Sequence, residues 1–346
     1  MNICARCIIP DDFPGAHFDS QGICHFCRQP AAAVDASGSS EDLAELLEQN
    51  RSDPYDCIVC YSGGKDSTYT LQTLVQDYGL KVLAFTFDHG FTSTGALSNI
   101  ECVTRALNVD TEIYRPDPAV IRRIFKTSIR ELPAMPPESI YGRGMQEYGP
   151  VCYVCGCMIH SIAIRLAMRT GARLIATGYT TSQDPDYYKG YATRARPVGS
   201  PSAMSAEPWL AIARIMHHFL RYADIKGLED LFLTHLSADD VKEKAFLRMF
   251  DFIRYDERQI YRRIAELGWQ KPTDTDSCST NCLLNSLGIY IYHKTRGYHP
   301  YTKQLADLVR RGLLTRADAL QAVQAELNMG LVRDIALKLG LDPAEF

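Results

Sequence analysis

The sequence lacks three features that would place it in other classes of protein. No apolar run approaches the ~20 residues that a membrane-spanning helix needs, and no apolar leader opens the chain, so we expect a cytoplasmic protein. The 37 Lys and Arg residues against 41 Asp and Glu residues give a net charge of −4, which argues against a broad basic surface for nucleic acid. Hydrophobic residues make up 46% and charged residues 23% of the chain, as in a soluble globular protein.

Cysteine, by contrast, is plentiful, and its spacing indicates metal binding. The chain has twelve cysteines, which in a cytoplasmic protein are more often metal ligands or reactive thiols than disulfides. Cys4-x2-Cys7 and Cys24-x2-Cys27 are spaced so that four thiolates can close a tetrahedron around Zn²⁺. We therefore predict a structural zinc ribbon over residues 1–30, which would need its metal to fold.

The stretch Ile58–Thr68 predicts an anion-binding site. An apolar run over 57–61 indicates a buried strand, two glycines break it, and a helical pattern follows. Such a turn points several backbone N–H groups at one place, and the helix dipole and Lys65 add positive potential there. The residues of this predicted anion site are Ser62, Gly63, Gly64, Lys65, Asp66, Ser67 and Thr68.

Strands and helices alternate after residue 55, which predicts an α/β fold with a doubly wound, Rossmann-like parallel sheet. The predicted strands are 57–61, 82–87, 112–115 and 174–177, and the predicted helices are 67–76, 99–107, 118–131 and 158–170. In open sheets of this kind ligands bind beyond the carboxyl ends of the strands. Ser62–Ser67, Asp88 and Gly178 fall at such ends, so we expect them to share one crevice.

The chain divides into four predicted regions. These are the ribbon over 1–30, a linker and helix over 31–52, a nucleotide-binding domain over 53–225 and a helical subdomain over 226–346. Helical patterns in the last region cover 228–236, 239–250, 257–267, 283–294, 303–311, 316–327 and 331–339. The Pro- and Gly-rich residues 133–151 predict a mobile flap or substrate loop. Residues 180–208 predict either a functional loop or a solvated one.

A second group of cysteines predicts iron–sulfur binding or sulfur carriage. Cys152-x2-Cys155-x-Cys157 precedes a predicted helix, and Cys278-x3-Cys282 lies in a polar loop far along the chain. Thiolates hold iron–sulfur clusters, so Cys152, Cys155 and one or both of Cys278 and Cys282 are candidate [4Fe–4S] ligands. Two alternatives stay open, namely thiols that carry persulfide sulfur and a second zinc site or unrelated buried thiols.

The remaining cysteines and the histidines give no further site. Cys57, Cys60 and Cys102 fall on apolar faces, so we assign them to the core. Five histidines are available as bases, but their spacing selects none; they are His160, His217, His218, His293 and His299.

The turn Ser62–Ser67, read as Ser-Gly-Gly-Lys-Asp-Ser, resembles the signature of the PP-loop ATP pyrophosphatases. Members of this superfamily cleave ATP between the α and β phosphates, hold pyrophosphate on the loop and adenylate a substrate oxygen. The resemblance implies that the loop and Thr68 cradle the phosphates. It also implies that Lys65 stabilises developing charge and that Asp66 helps to position Mg²⁺.

The same resemblance implies where the nucleoside lies. Phe85–Asp88, including Phe87, would flank the adenine and ribose, and Gly178 would let the backbone approach the nucleotide. The chain reads Gly178-Tyr179-Thr180 here, whereas the tRNA 2-thiolation branch of the superfamily usually has His after the Gly.

Within the superfamily, the order of parts is similar to the N-acetyl sugar amidotransferases. The matching segments are Cys-Ala-Arg-Cys-Ile-Ile-Pro-Asp-Asp-Phe-Pro-Gly (4–15), Gly-Ile-Cys-His-Phe-Cys (22–27), Asp-Cys-Ile-Val (56–59), which leads into the loop, and Arg-Arg-Gly-Leu-Leu-Thr-Arg-Ala-Asp-Ala (310–319). The cysteine pattern is instead similar to the iron–sulfur-dependent tRNA 2-thiolation enzymes. By that resemblance Cys152 and Cys155 are cluster ligands and Cys278 or Cys282 is the third.

Three hypotheses follow. In the first, ATP activates a carbonyl oxygen and sulfur from the cysteine cluster replaces it. In the second, ammonia from a partner glutaminase replaces the oxygen, and the cysteines are structural. In the third, the protein binds ATP without turnover. We favour sulfur transfer, with a small-molecule or sugar acceptor rather than tRNA, a sulfur donor protein as partner, and a homodimer as one option.

Overall fold

The computed structural model describes residues 2–29, 38–179, 203–221 and 223–342. Most of the predicted linker, and the predicted loop between residues 180 and 202, lie outside the described residues. Within the described part, the predicted order of strands and helices through residue 177 is largely reproduced.

A six-stranded sheet forms the centre of the fold. Its strands are β1 (Cys57–Cys60), β2 (Val82–Phe87), β3 (Asp110–Tyr114), β4 (Leu174–Thr177), β5 (Ala203–Ser205) and β6 (Ala245–Arg248). They lie in the order β3-β2-β1-β4-β6-β5, with β5 antiparallel to β6 and the other neighbours parallel. The order reverses between β1 and β4, which opens a crevice at their carboxyl ends. The predicted doubly wound parallel sheet is confirmed.

Helices cover both faces of this sheet. The helices of the described residues, including those that pack in or against the ribbon, are α1 (His25–Arg28), α2 (Ser40–Gln49), α3 (Lys65–Gln72), α4 (Thr94–Leu107), α5 (Pro118–Glu131), α6 (Ile140–Thr170), α7 (Glu207–Arg221), α8 (Ala238–Val241), α9 (Glu257–Ala265), α10 (Leu284–Arg296), α11 (Thr302–Arg310), α12 (Arg316–Gln324) and α13 (Met329–Lys338). Alternation along β1 divides the core in two. Ile58 joins a buried cluster with Phe125 of α5 and Ile162 of α6, whereas Val59 joins one with Leu71 of α3 and Ile100 of α4.

The helix predicted over 239–250 is wrong, because only the single turn α8 forms before strand β6. Phe246 and Leu247 are both buried, since β6 has helices over both faces. A strand of that kind is a continuous apolar run, which periodicity cannot distinguish from a buried helix. The sheet therefore takes a strand from the region assigned to the helical subdomain. The helix predicted over 228–236 is a 3₁₀ turn at Leu228–Asp230.

The flap predicted over 133–151 is also wrong, because most of it is the first part of α6. Gly149 has φ 75° and breaks the helix just before Pro150, so these residues mark a kink. Gly144 serves close packing, since a Cβ there would lie 2.2 Å from the ring of Tyr153. Proline and glycine here belong to a kinked helix in the core.

By length and composition alone, α6 would pass for a membrane span. Its most apolar 18-residue window has a mean hydropathy of 1.7. However, 67% of that window is buried inside the protein, as in the core helix of a globular fold.

The four-cysteine ribbon packs against the C-terminal helices. Arg316, at the start of α12, donates from Nε to the carbonyl oxygen of Cys7 at 2.9 Å and from Nη2 to that of Cys4 at 3.0 Å. Ala306 of α11 and Ala319 of α12 share a buried cluster with the ribbon. The two ends of the chain thus form one packed unit.

Candidate functional site

The Gly-rich turn between β1 and α3 depends on two glycines. Gly63 has φ +74°, a left-handed conformation that favours glycine. A Cβ on it would lie 2.4 Å from the carbonyl oxygen of Ala96, so a larger residue would push α4 away. Gly64 is the N-cap of α3 and has no side chain to cap it. The N-cap residue therefore supplies no side-chain acceptor to the first N–H groups of the helix, which suits a site where an anion could accept them.

Hydroxyl groups brace this turn. The Oγ atoms of Ser62 and Ser67 lie 3.1 Å apart, and both residues line the central cavity described below. Thr68 is fully buried, and its Oγ1 donates to the carbonyl of the N-cap residue at 2.8 Å, so it shapes the loop. Thr280, from a distant segment, accepts the backbone N–H of Lys65 at 3.2 Å.

The Lys65 side chain is held by three groups. Its Nζ lies 2.8 Å from both carboxylate oxygens of Asp66 and 2.7 Å from the hydroxyl of Tyr255, and Glu257 lies 3.7 Å away. Burial alone would lower the pKa of Lys65, but the charges of Asp66 and Tyr255 outweigh it and the net pKa is raised. The ammonium therefore keeps its charge at neutral pH beside the loop.

The end of β2 contributes the expected aromatic residues. Phe85 and Phe87 line the cavity. The carboxylate of Asp88 accepts the N–H of Gly90 at 3.1 Å and pairs with Arg115 Nε at 3.0 Å. Asp88 thus fixes the turn that follows β2.

Gly178, after β4, allows a close backbone approach. A Cβ on Gly178 would lie 2.7 Å from the backbone nitrogen of Ser67. The end of β4 can therefore reach the first turn of α3 only with glycine at this position. Gly178 and Tyr179 both line the cavity.

A single cavity of about 610 Å³ joins these parts. This size is within the range of small-molecule and cofactor sites. The ribbon supplies part of its wall through Phe13, Pro14 and Phe26. The rings of Phe13 and Tyr298, which follows α10, lie 4.8 Å apart between centroids and are tilted by 55°. The ribbon and the segment after α10 therefore reach the same space as the Gly-rich turn.

Three of the predicted cluster ligands face this cavity. Cys152 and Cys155 lie on α6 rather than before a helix, and a spacing of three places both on one helical face. Together with Cys282 from the loop before α10, they line the cavity. Cys278 is not among the described lining residues, and its Sγ lies 3.9 Å from the carbonyl oxygen of Ala322 in α12. The structure therefore groups Cys282, and not Cys278, with the CxxC pair.

Desolvation within the cavity raises the pKa of all three thiols. For Cys155 the charges of Cys282 and Cys152 add to it. Desolvation and then the charge of Cys152 raise the pKa of Cys282 to about 12. Cys152 has an exposed surface, but the atoms around its thiol and then Asp276 raise its pKa to about 11. Deprotonation of all three thiols is therefore unfavourable unless a cation offsets their charge.

The ribbon has a different geometry. Its sulfur atoms lie 3.9 Å apart for Cys4 and Cys27 and 3.7 Å apart for Cys7 and Cys24, and all four are within 4.8 Å of one another. Tetrahedral Zn–S bonds of about 2.3 Å would place the sulfurs about 3.8 Å apart. Among the described residues no other set of three or more metal-ligating groups closes this tightly. A second single-ion zinc site at the cavity is therefore not supported.

Of the three cysteines predicted to lie in the core, only one is fully buried. This is Cys57, whereas Cys60 is half-buried and lines the cavity. Cys102 is exposed on α4. Helical and strand periodicity placed these residues on apolar faces, but it did not show that the Cys60 face opens onto a cavity.

Two histidines line the cavity, and sequence reasoning selected neither. His160 of α6 is buried, burial lowers its pKa to about 3, and both its ring nitrogens lack a hydrogen-bond partner among the described residues. His89, two residues after β2, is also buried. Its place at the carboxyl end of a strand was the signal that could have found it. Tyr255 had no such signal, because its contact with Lys65 joins distant parts of the chain.

Comparison with known families supports the reading of the turn. Residues 56–193 match the model of the family described as Queuosine biosynthesis protein QueC, a family of PP-loop ATP pyrophosphatases. The resemblance to that superfamily is therefore confirmed. An uncharacterized protein from Methanocaldococcus jannaschii is 22% identical over 271 residues, which are 78% of this chain and 73% of that protein.

Three solved structures are similar to this chain at low identity and low TM-score. The U34-tRNA thiolase NcsA from Methanococcus maripaludis, with its [4Fe–4S] cluster, is 13% identical with a TM-score of 0.37, covering 98% of this chain and 88% of its own. The NMN synthetase from Francisella tularensis is 14% identical with a TM-score of 0.35, covering 88% and 95%. The NH3-dependent NAD synthetase from Campylobacter jejuni is 10% identical with a TM-score of 0.29, covering 66% and 93%.

Proposed function

We propose, on the premise that residues 56–193 are a PP-loop ATP pyrophosphatase segment, that this enzyme adenylates a carbonyl oxygen of its acceptor and exchanges that oxygen for sulfur. One observation carries the proposal. The Gly-rich turn and the thiols of Cys152, Cys155 and Cys282 line the same cavity, so an activated carbon and a sulfur site can meet without either leaving the protein.

The first step belongs to the turn. The carbonyl oxygen attacks the α-phosphorus of ATP. The bond between this phosphorus and the oxygen that bridges it to the β-phosphorus breaks, and pyrophosphate leaves with the electron pair. Ser62, Gly64 and Ser67 line the space where the phosphates would lie. The Lys65 ammonium offsets the charge that develops on the leaving pyrophosphate. Asp66 supplies a carboxylate that suits Mg²⁺.

The second step belongs to the cavity thiols. A carbonyl oxygen is a poor leaving group. In the O-adenyl imidate that the first step forms, this oxygen is bonded to the phosphorus of AMP. When sulfur bonds to the carbon, the carbon–oxygen bond breaks and the oxygen leaves as part of AMP. A [4Fe–4S] cluster with three protein thiolates has one iron free to bind hydrosulfide. Cys152, Cys155 and Cys282 would hold it, because all three line the cavity and thiolates are the usual ligands of iron–sulfur clusters. A sulfur donor protein would supply the sulfur as a persulfide, and two thiols of a cellular reductant would release it as hydrosulfide while they form a disulfide.

We propose further that Zn²⁺ occupies the N-terminal ribbon, since its sulfur spacing matches tetrahedral zinc. The acceptor is a small molecule or sugar rather than tRNA, because the chain has a net charge of −4. The enzyme acts in the cytoplasm, where its twelve free thiols stay reduced.

A second candidate function is amidation with ammonia from a glutaminase. The observation that favours it is the contact between two of the segments that resemble the N-acetyl sugar amidotransferases, 4–15 and 310–319. Arg316 binds the carbonyl oxygens of Cys4 and Cys7, and the ribbon reaches the cavity through Phe13. Amidation would use the same adenylation step, so only the second step separates the two functions.

The adenylation step is tested by its products. With acceptor-containing extract, ATP should yield AMP and pyrophosphate, and Lys65→Ala should lose this release. Lys81→Ala is the matched control, because Lys81 is exposed and pairs with Asp53 at the surface. Release of ADP and phosphate, or unchanged turnover in Lys65→Ala, would contradict the proposal.

The nature of the donor is tested by metal analysis. Protein purified without oxygen should be brown, with about four iron and four acid-labile sulfide per chain. Cys152→Ser should lose the iron and keep zinc at the ribbon, and Cys102→Ser, at an exposed cysteine outside both sites, should keep both. Colourless protein that contains only zinc would instead favour amidation.

A further inference from the structure

His89 lies between the nucleotide-binding strand β2 and the cavity thiols. Its ring is packed among Phe87, Phe91 and Phe125, with centroid distances of 6.1, 6.1 and 5.8 Å. The ring is 9% exposed, so it has little access to water. An imidazole in such surroundings must find its hydrogen-bond partners within the protein.

The backbone fixes which nitrogen of this ring carries the proton. The N–H of Phe91 donates to Nδ1 of His89 at 3.1 Å. An acceptor nitrogen cannot carry hydrogen, so in the neutral ring the proton is on Nε2. Nε2 lies 3.7 Å from Sγ of Cys282. The N–H group of His89 therefore donates to that sulfur.

Backbone pairing holds this contact in place. The N–H of Leu283 donates to the carbonyl of Phe91 at 2.9 Å, and the N–H of Ser93 donates to that of Asn281 at 2.9 Å. Thr92 and Cys282 form an antiparallel bridge between these two bonds. The segment after β2 and the segment that carries Cys282 are thus joined on either side of the sulfur, and the ring and the thiol cannot separate independently.

We propose that His89 is a positioning residue for the sulfur site, whose Nε2–H donates to Cys282 Sγ and thereby tunes the iron–sulfur cluster that Cys282 helps to hold. The inference rests on the proposed function. A hydrogen bond to a ligating sulfur withdraws negative charge from it, which favours the reduced cluster and raises its potential. No bond is made or broken by His89 in this role.

Two variants test the role of the N–H group. His89→Gln keeps a donor near the Nε2 position, and His89→Leu removes it. A neutral hydrogen bond contributes about 0.5–1.5 kcal/mol, so His89→Leu should lower the equilibrium constant for cluster reduction about two- to tenfold. We expect His89→Gln to lie nearer to the unsubstituted protein. The readout is a redox titration of the reconstituted holoprotein followed by electron paramagnetic resonance, with exposed His235→Leu as control.

A second measurement does not need the cluster. Nitrogen-15 spectra of the reduced apoprotein should show His89 as the Nε2–H tautomer, and Cys282→Ala should shift that resonance, whereas Cys102→Ala should not. A reduction equilibrium equal in all variants, or an Nδ1–H tautomer, would overturn the role of His89 and leave the proposed function standing. Failure of the unsubstituted protein to bind iron would overturn the proposed function, and the spectra would still decide whether the hydrogen bond exists.

Discussion

At the residue scale, the most informative side chain is Lys65. The sequence places it correctly beside the loop, but its partners come from far along the chain. Tyr255 and Glu257 lie at the start of α9 and approach Nζ to 2.7 and 3.7 Å. With Asp66 they give the ammonium one resting position, 15% exposed. A lysine held in this way reaches a phosphate with little reorganisation.

We predict that Tyr255→Phe slows pyrophosphate release about tenfold while leaving the fold intact. Hydrogen bonds to charged groups contribute about 1.5–3 kcal/mol, and without the hydroxyl Nζ would settle onto the Asp66 carboxylate. The measurement is the initial rate of pyrophosphate formation. Tyr78→Phe, at a half-buried tyrosine away from the cavity, should keep the full rate. Equal rates in the two variants would show that the Tyr255 hydroxyl does not contribute to pyrophosphate release.

At the scale of elements, α3 and β4 meet at one glycine. We predict that Gly178→Ala lowers pyrophosphate release tenfold or more, because its Cβ would lie 2.7 Å from the Ser67 nitrogen. Overpacking of this kind costs about 1–3 kcal/mol, and here backbone at the start of α3 must move. Gly156→Ala is the matched control, since its Cβ would meet only the Tyr179 hydroxyl at 4.0 Å. Full activity in Gly178→Ala would show that the turn tolerates the shift.

The elements also show what a sequence can predict. β2 and α5 have the predicted bounds, because an apolar run bounded by turns and an amphipathic pattern with Asp117 as cap are local signals. The predictions for β6 and for the first part of α6 were wrong, because the secondary structure of these segments depends on residues that are distant in sequence. Phe246 is in a strand because β4 lies beside it, and Gly144 fits a helix because Tyr153 crosses it.

The residues of the candidate site also fall into two groups, those with a local signal in the sequence and those that only the fold brings together. The turn and the CxxC pair are contiguous in sequence and were identified. The preference for Cys282 over Cys278 required the fold, since contacts between distant segments, such as the pairing of residues 92 and 282, bring that loop to the crevice. His89 and Tyr255 were missed for the same reason.

At the scale of the whole molecule, buried neutral histidines set the response of stability to acid. Burial lowers the pKa of His160 to about 3, whereas the unfolded chain binds its proton near the ordinary value of 6.5. The unfolded state then holds more protons, so the free energy of unfolding falls as pH drops below 6.5. Between the two pKa values, the free energy of unfolding falls by about 1.4 kcal/mol per pH unit for one such group.

We predict that His160→Phe makes the protein less sensitive to acid between pH 6.5 and 5. The new ring would fill a site bounded by Trp209, Phe246 and Tyr179, and no proton would bind on unfolding. Chemical denaturation at several pH values measures the slope. The exposed His235→Gln should keep the slope of the unsubstituted protein, and an unchanged slope in His160→Phe would assign acid sensitivity to other groups.

The position of Phe13 has a consequence for metal supply. The ribbon forms one wall of the cavity, and its four cysteines are spaced to hold a metal ion. If that ion is the Zn²⁺ proposed above, its loss would unfold the ribbon and open this wall, while the central sheet would stay folded. Supply of zinc would then control the proposed reaction at the cavity, although zinc takes no part in its chemistry.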